Sequence, residues 1–181
     1  MSPHLGRERA GAVLALTLMV RLDFATGVAR AMTSEQREMA QGVLQARFCS
    51  NATQRKANGP IVDGVLGYSA RSIHCDRSSG ELAASEIAKY RCAVGCIGGR
   101  CVVAACFRHV PAPTARKEAW SELLLLAVDK EEERRGYGGA MVAFVKRLCA
   151  EAGSRALCVV SNGSAYWERP ALGFAAAADG R

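Results

Sequence analysis

The spacing of apolar and polar residues changes along the chain, and each spacing predicts a different element. After Thr33 the apolar residues recur every three to four positions, which is typical of a helix with one buried face. They are Met39, Val43, Leu44 and Phe48. Thr33 and Gln36 form a capping-box pattern, in which the two side chains bond free N–H groups at a helix start. Residues 50–80 are rich in Gly, Ser, Asn and Asp and predict a loop or short irregular elements, and Glu81 to Lys89 predict a short helix.

From Tyr90 onward the pattern becomes that of β-strands. Two β-rich segments, Tyr90–Ile97 and Arg100–Val110, flank Gly98-Gly99. A two-residue Gly-Gly loop accepts the positive φ angles of a tight hairpin turn. With that loop, Cys96 faces Cys101 across the hairpin.

A third strand is predicted from about Ala119 to Val128, because it ends in a continuous apolar run, which is typical of a strand covered on both faces. It is followed by a turn (129–139), a helix to about 152, a strand (155–160), a turn (161–163) and a short helix (164–169). Strands that alternate with helices predict a single α/β or α+β domain around a mixed sheet, over residues 32–181. Residues 1–31 are expected to be an N-terminal extension or a targeting segment, because two arginines precede an apolar run there.

The composition narrows the class of protein. A chain of 181 residues with 50% hydrophobic and 23% charged residues can bury a core, so a wholly disordered chain is excluded. No run of about 18 apolar residues occurs, which argues against a transmembrane helix and a membrane partner. The net charge of +7 favours an anionic partner such as a phosphorylated cofactor. The few aromatic residues do not interleave with basic ones, so direct nucleic-acid binding is not expected.

The eight cysteines predict reduced thiols rather than disulfides or a metal site. Several lie within apolar runs, as free cysteine does in a core, and no CxxC pair occurs. Cys92, Cys96, Cys101 and His109 could be considered as zinc ligands, but their spacing matches no zinc-binding pattern. Reduced thiols favour an intracellular protein of the nucleus or cytoplasm, or of an organelle if residues 1–31 target it there.

The strongest chemical signal is the segment Val128 to Gly139, which runs from a buried strand into a helix. A glycine-rich turn at a helix start presents several unpaired N–H groups in one direction, and the helix dipole adds partial positive charge. Arg134 and Arg135 add full charges, so the segment is a candidate cradle for a pyrophosphate. It lacks the Gly-Lys-Ser/Thr ending of a P-loop and the G-x-G-x-x-G of a dinucleotide site.

This segment resembles the acetyl-CoA loop of the GNAT superfamily of N-acetyltransferases, whose pattern is Gln/Arg-x-x-Gly-x-Gly/Ala. The matching residues are Glu133-Arg134-Arg135-Gly136-Tyr137-Gly138. The strand Glu122-Leu-Leu-Leu-Leu-Ala127-Val128, followed by four residues and then the loop, is most similar to the histone-lysine acetyltransferase branch. The resemblance covers about residues 92–174.

The resemblance implies an enzyme that moves the acetyl group of acetyl-CoA to an amine by direct attack, without a metal. Glu122 would be the general base, which is needed because lysine is protonated below a pKa of about 10.4. On a strand that rises about 3.3 Å per residue, Glu122 lies roughly 20 Å from Val128, the order of length of a pantetheine arm. The backbone amide of Leu126 or Val128 would polarise the thioester carbonyl, and Tyr166 would protonate the thiolate leaving group.

The resemblance also gives the residues of the acetyl-CoA site. They are Leu126, Ala127, Val128, Glu133, Arg134, Arg135, Gly136, Tyr137, Gly138, Gly139 and Asn162.

Two departures from the family pattern keep alternatives open. Glu133 stands where Gln or Arg is usual, and a carboxylate beside a pyrophosphate is unfavourable unless it turns to solvent or the adjacent arginines compensate for it. Arg169 stands where a tyrosine is usual, and Tyr166, three residues earlier, is either the acid or a packing residue. The expected acceptor is a protein lysine, such as one on a histone, with a small-molecule amine as the alternative. A non-catalytic acyl-CoA-binding module is the alternative from a different class.

Overall fold

The computed structural model describes residues 22–28, 33–68, 73–75, 80–82, 89–114, 118–159 and 164–175. The predictions made for residues 1–21, for the turn at 161–163 and for Asn162 lie outside these ranges.

Within these ranges the chain forms strands, helices and two short 3-10 turns. The strands are β1 (Asp23–Val28), β2 (Ile73–Cys75), β3 (Gly80–Leu82), β4 (Arg91–Ile97), β5 (Arg100–Val110), β6 (Trp120–Val128) and β7 (Ala156–Val159). The helices are α1 (Ser34–Phe48), α2 (Ala52–Val65), α3 (Tyr137–Glu151) and α4 (Ser164–Trp167), and the 3-10 turns are Lys130–Glu132 and Pro170–Leu172.

Five strands form one sheet in the order β1-β4-β5-β6-β7, and β2 pairs with β3 separately. All neighbours in the large sheet are antiparallel except β6 and β7, which are parallel. The predicted mixed sheet with flanking helices is therefore confirmed. β1 lies within residues 1–31, so this part of the expected N-terminal extension belongs to the sheet.

Helices cover both faces of this sheet, and each face has its own apolar core. On one face α1 and α2 pack their buried side chains, such as Leu44 and Val62, against Val94 and Leu125 of the sheet. On the other face α3 packs Met141, Val142 and Val145 against a second set of sheet residues. The capping box of α1 is present as predicted, with Gln36 and Thr33 bonding each other's backbone N–H groups.

A bulge in β6 determines which of its residues face which core. Cys106 of β5 lies opposite Leu125 and Phe107 lies opposite Leu123, so Leu124 is an extra residue on β6. Leu123 packs on the α3 side, whereas Leu124, Leu125 and Ala127 pack on the α1–α2 side. Leu126 and Val128 return to the α3 side at the carboxyl end of the strand.

The sequence prediction for residues 50–80 is wrong where α2 forms. The predicted loop contains α2, which begins at its N-cap Asn51 and continues through Pro60. The proline removes one helical hydrogen bond, but Ile61, Val62 and Val65 bury an apolar face that compensates for this loss. Most of the helix predicted at 81–89 lies outside the described residues, which include Glu81 and Leu82 at the end of β3 and Lys89.

The hairpin of β4 and β5 is as predicted. Gly98 and Gly99 have φ angles of 55° and 82°, so both occupy the left-handed region that a tight two-residue turn requires. Cys96 faces Cys101, and Cys92 faces Cys106 with their Sγ atoms 3.0 Å apart. The seven cysteines whose side chains the structure describes are reduced thiols.

Candidate active site

A cleft of about 600 Å³ opens where the carboxyl end of β6 meets the start of α3. This volume is within the usual range for a small-molecule site. The described pairing of β7 with β6 ends at Leu123, so the last residues of β6 extend beyond it and border the cleft. The lining residues are Arg47, Leu126, Val128, Glu132, Glu133, Arg134, Gly136, Tyr137, Gly138, Gly139, Tyr166, Trp167, Arg169, Ala171 and Leu172.

The first turn of α3 supplies backbone donors to this cleft. Its N-cap is Gly136, which has a φ of 86° and no side chain that could accept a hydrogen bond. The N–H groups of the first turn therefore have no capping side chain and no intrahelical acceptor. Because Tyr137, Gly138 and Gly139 line the cleft, these donors and the positive end of the helix dipole border it. This is the geometry that an anion cradle requires, and anion binding there stays a prediction.

Gly138 allows the hydroxyl of Tyr166 to reach the start of α3. A Cβ atom built on Gly138 would lie 2.6 Å from the Tyr166 hydroxyl and 3.3 Å from Val128. No real Cβ tolerates the shorter of these distances, so any other residue at this position would displace Tyr166. A Cβ on Gly139 would meet only Leu172, at an ordinary 3.9 Å. The two adjacent glycines therefore differ: only Gly138 is required for close packing.

The hydroxyl of Tyr166 is buried at this contact and has no hydrogen-bond partner in the described part of the chain. The ring packs edge-on against Trp167, and the Arg169 guanidinium lies 5.1 Å from its centre. Burial raises the pKa of Tyr166 above its usual 10, and the charge of Arg169 opposes this shift. The hydroxyl therefore stays protonated at neutral pH and can donate to a ligand atom in the cleft.

The acidic residues of the turn are paired with arginines. Glu132 is buried and forms ion pairs with Arg100 of β5 and with Arg135, whose Nη1 lies 3.0 Å from Oε2. Arg135 does not line the cleft, whereas Arg134, at a φ of 64°, does. Of the two arginines expected to add charge to the cradle, one thus holds the turn together and the other lies at the ligand side.

The carboxylate of Glu133 contacts a residue that the loop motif does not include. Arg47, in the last turn of α1, places Nη1 2.8 Å from Glu133 Oε1. Arg47 also lines the cleft. The expectation that the adjacent arginines compensate for Glu133 is therefore replaced by a pairing with α1.

Glu122 lies at the other end of β6 and does not line the cleft. Its Oε2 accepts hydrogen bonds from Arg108 Nε at 2.7 Å and from the Tyr90 hydroxyl at 2.9 Å. Arg108 is its direct partner on β5, and the two side chains are only 16% and 14% exposed. The carboxylate of Glu122 therefore does not lie in apolar surroundings, because a cation and a phenol hold it.

The structure brings most of the sequence-predicted cofactor residues together. Ala127 is the exception on β6, because its side chain packs in the α1–α2 core. Sequence reasoning missed Arg47, Trp167 and Leu172 around the cleft, since they belong to α1 and to the segment after α4. It also missed Arg108 beside Glu122, although a lone arginine in an apolar strand is itself a signal that a partner must lie opposite.

No group of three or more potential metal ligands occurs among the residues that the structure describes. Among the same residues, no helix has the length and apolar character needed to cross a membrane.

Comparison with known proteins supports the fold but not a specific relative. No protein-family model matches the chain, and no curated protein sequence matches it. Solved structures do match. A transcriptional regulator from Bacillus halodurans superposes with a TM-score of 0.60 at 14% identity, covering 89% of this chain and 97% of that one.

Two further matches are acetyltransferases. A GCN5-related N-acetyltransferase from Ralstonia eutropha has a TM-score of 0.59 at 15% identity, covering 86% of this chain and 93% of that one. An aminoglycoside N-acetyltransferase in complex with CoA has a TM-score of 0.55 at 14% identity, covering 86% and 88%. At these identities the likeness establishes the fold, which is that of the GNAT acetyltransferases.

Proposed function

We propose that this protein is an N-acetyltransferase that binds acetyl-CoA in the cleft between β6 and α3 and transfers its acetyl group to an amine. The observation that carries the proposal is the cleft itself, where the uncapped start of α3 and the hydroxyl of Tyr166, which has no partner among the described residues, converge on Gly138. A helix N-terminus suits a pyrophosphate, and a buried protonated hydroxyl suits a leaving thiolate. The shared fold with a protein solved in complex with CoA supports the same ligand.

The two halves of the proposed reaction would lie at the two ends of β6. The α3 end would hold the pyrophosphate, and Leu126 and Val128 would border the arm of the cofactor. Tyr166 would donate a proton to the thiolate that leaves when the amine attacks the thioester. Glu122 is proposed as the base that accepts the proton of the amine, either directly or through water.

The acceptor is proposed to be a protein lysine, because the Glu122 strand resembles that of lysine acetyltransferases. A small-molecule amine is the second candidate, and the fold shared with an aminoglycoside N-acetyltransferase favours it. One assay distinguishes the two candidate acceptors. A panel of lysine peptides and a panel of polyamines and aminoglycosides are each incubated with acetyl-CoA, and the released CoA is measured.

Variants of the two adjacent glycines test whether the cleft binds acetyl-CoA. We expect Gly138→Ala to weaken acetyl-CoA binding at least tenfold, about 1.4 kcal/mol, because its methyl group displaces Tyr166. Gly139→Ala is the matched control, since the same change on the same helix turn meets only ordinary contact. Calorimetric titration gives both affinities. Equal affinities in the two variants would remove this cleft from the cofactor site.

A further inference from the structure

The ion pair between Arg47 and Glu133 joins α1 to the cradle across the mouth of the cleft. Their atoms lie 2.8 Å apart, and both residues line the cleft. α1 is fixed to the sheet by Ala40, Val43 and Leu44, all buried. The helix therefore presents Arg47 at a defined place rather than leaving the contact to a mobile loop.

The carboxylate of Glu133 adds negative charge to the cradle, and the ion pair with Arg47 offsets that charge. Glu133 places a carboxylate at the same cleft as the first-turn N–H groups of α3, and such a charge repels a pyrophosphate. The neighbouring Arg135 is engaged by the buried Glu132, which also binds Arg100. Arg47 is the cation that contacts Glu133, so it supplies the positive charge that offsets this carboxylate.

We propose that Arg47 is a positioning residue of the cofactor site, which neutralises Glu133 and so allows the cradle to accept the pyrophosphate of acetyl-CoA. This inference rests on the proposed function, since it assigns a residue to the same site. It makes α1 part of a site that the loop motif places entirely on β6 and α3.

A structural role for the pair is separable from this one. The side chains of Arg47 and Glu133 are 59% and 39% exposed, and exposed ion pairs contribute little to folding stability. Arg47→Ala should therefore leave the thermal unfolding midpoint nearly unchanged and lower the affinity for the ligand. A merely structural pair would behave in the opposite way.

The test is a double-mutant cycle on the full chain, with acetyl-CoA affinity measured by calorimetry at low ionic strength. Arg47→Ala should weaken binding at least tenfold, and Glu133→Gln should leave it equal or tighter. In the Glu133→Gln background, Arg47→Ala should cost no more than about threefold, because the charge to be neutralised is gone. Equal losses in both backgrounds, or no loss in either, would overturn the proposal.

Arg55→Ala is the matched control, since it removes the same charge from the exposed surface of α2, outside the cleft. It should leave affinity within about twofold.

Inorganic pyrophosphate, titrated into the same variants, separates this proposal from the proposed function. If the wild-type protein binds acetyl-CoA but shows no Arg47–Glu133 coupling, only the role of Arg47 fails. If acetyl-CoA does not bind while pyrophosphate binds with the expected coupling, the acetyltransferase proposal fails and the role of Arg47 at an anion cradle stands. If neither ligand binds, both fail.

Discussion

The two ends of β6 carry the two halves of the proposed chemistry, and they are built in different ways. At the α3 end the donors are open: within the part of the chain that the structure describes, the backbone N–H groups lack capping partners and the Tyr166 hydroxyl is unsatisfied. At the other end Glu122 is closed in, with Arg108 and Tyr90 both bonded to the same carboxylate oxygen. Unsatisfied polar groups are costly to bury, so the open end has a physical reason to bind a ligand and the closed end is already satisfied.

The difference shows that the two functional assignments rest on different grounds. The cofactor end is supported by geometry, whereas the base is supported by its resemblance and its spacing along β6. An ion pair with Arg108 is compatible with a base whose position must be fixed, and equally with a carboxylate that only holds two strands together. Experiments on β6 and its neighbours distinguish these two roles.

Glu122→Gln has the largest expected effect. It keeps the size of the side chain but removes the charge, and positioned bases contribute about 10²–10⁴-fold. We expect kcat to fall within that range at neutral pH while acetyl-CoA affinity stays within a few-fold, because Glu122 does not line the cleft. Activity should partly recover at high pH, where more of the amine is already neutral. Initial rates over a pH series measure this.

Arg108→Gln is the control for the ion pair. Removing one partner of a nearly buried pair costs about 3–5 kcal/mol of stability, so both variants should unfold at lower temperature. If kcat of the folded protein is near normal in Glu122→Gln, Glu122 is a structural residue and the base lies elsewhere.

The contrast between the two ends of β6 also explains which parts of the site could be predicted from the sequence. The cradle is a continuous segment from Val128 to Gly139, so the residue types and their order are enough to predict its local geometry. The surroundings of Glu122 come from three strands, and its pairing with Arg108 depends on the register of β5 and β6 across a bulge at Leu124. A sequence pattern of period two does not reveal such an extra residue.

Helix α2 illustrates the opposite kind of failure. Asn58-Gly59-Pro60 is a strong local turn signal, yet these residues lie within a helix. The apolar residues that follow, Ile61 and Val62, gain more by burial against α1 and the sheet than the proline costs. Tertiary packing therefore determined that this segment is helical. The place of Arg47 at the cleft could not be predicted for the same reason, because it depends on how α1 packs on the sheet.

The thiol of Cys101 tests the core beneath the cradle end. Burial and the neighbouring Cys96 raise its pKa to about 12 from 9.0. The unfolded chain therefore loses this proton first, so stability is at its full value below pH 9 and falls between pH 9 and about 12. At pH 10.5 this thiol alone should cost about 2 kcal/mol relative to pH 8. Urea unfolding of the wild-type protein and Cys101→Ala, across that range, measures the difference in slope.

A Cys101→Ala variant with the wild-type slope would show that this end of β5 is open to water.

Tyr166→Phe tests the open end directly. We expect kcat to fall about tenfold, or 1.4 kcal/mol, because the leaving thiolate loses its proton donor. Stability should stay equal or rise, since the change removes a buried hydroxyl that has no partner in the described structure. Lower activity together with undiminished thermal stability would mark a residue kept for function. Unchanged kcat would assign Tyr166 to packing against Trp167.

Tyr90→Phe has the smallest expected effect. It tests whether Glu122 needs both of its hydrogen-bond donors. Tyr90 is 1% exposed, and its ring also lies 5.1 Å from the Arg108 guanidinium. Phenylalanine keeps the ring but removes the hydrogen bond to Glu122, which should cost about 1 kcal/mol of stability. If Glu122 is the base, kcat should fall by less than tenfold, because Arg108 still holds the carboxylate. The decisive measurement is the ratio of kcat/KM for two amines of different pKa. A positioned base loses rate mainly with the more basic amine, whereas a structural carboxylate changes both rates by the same factor.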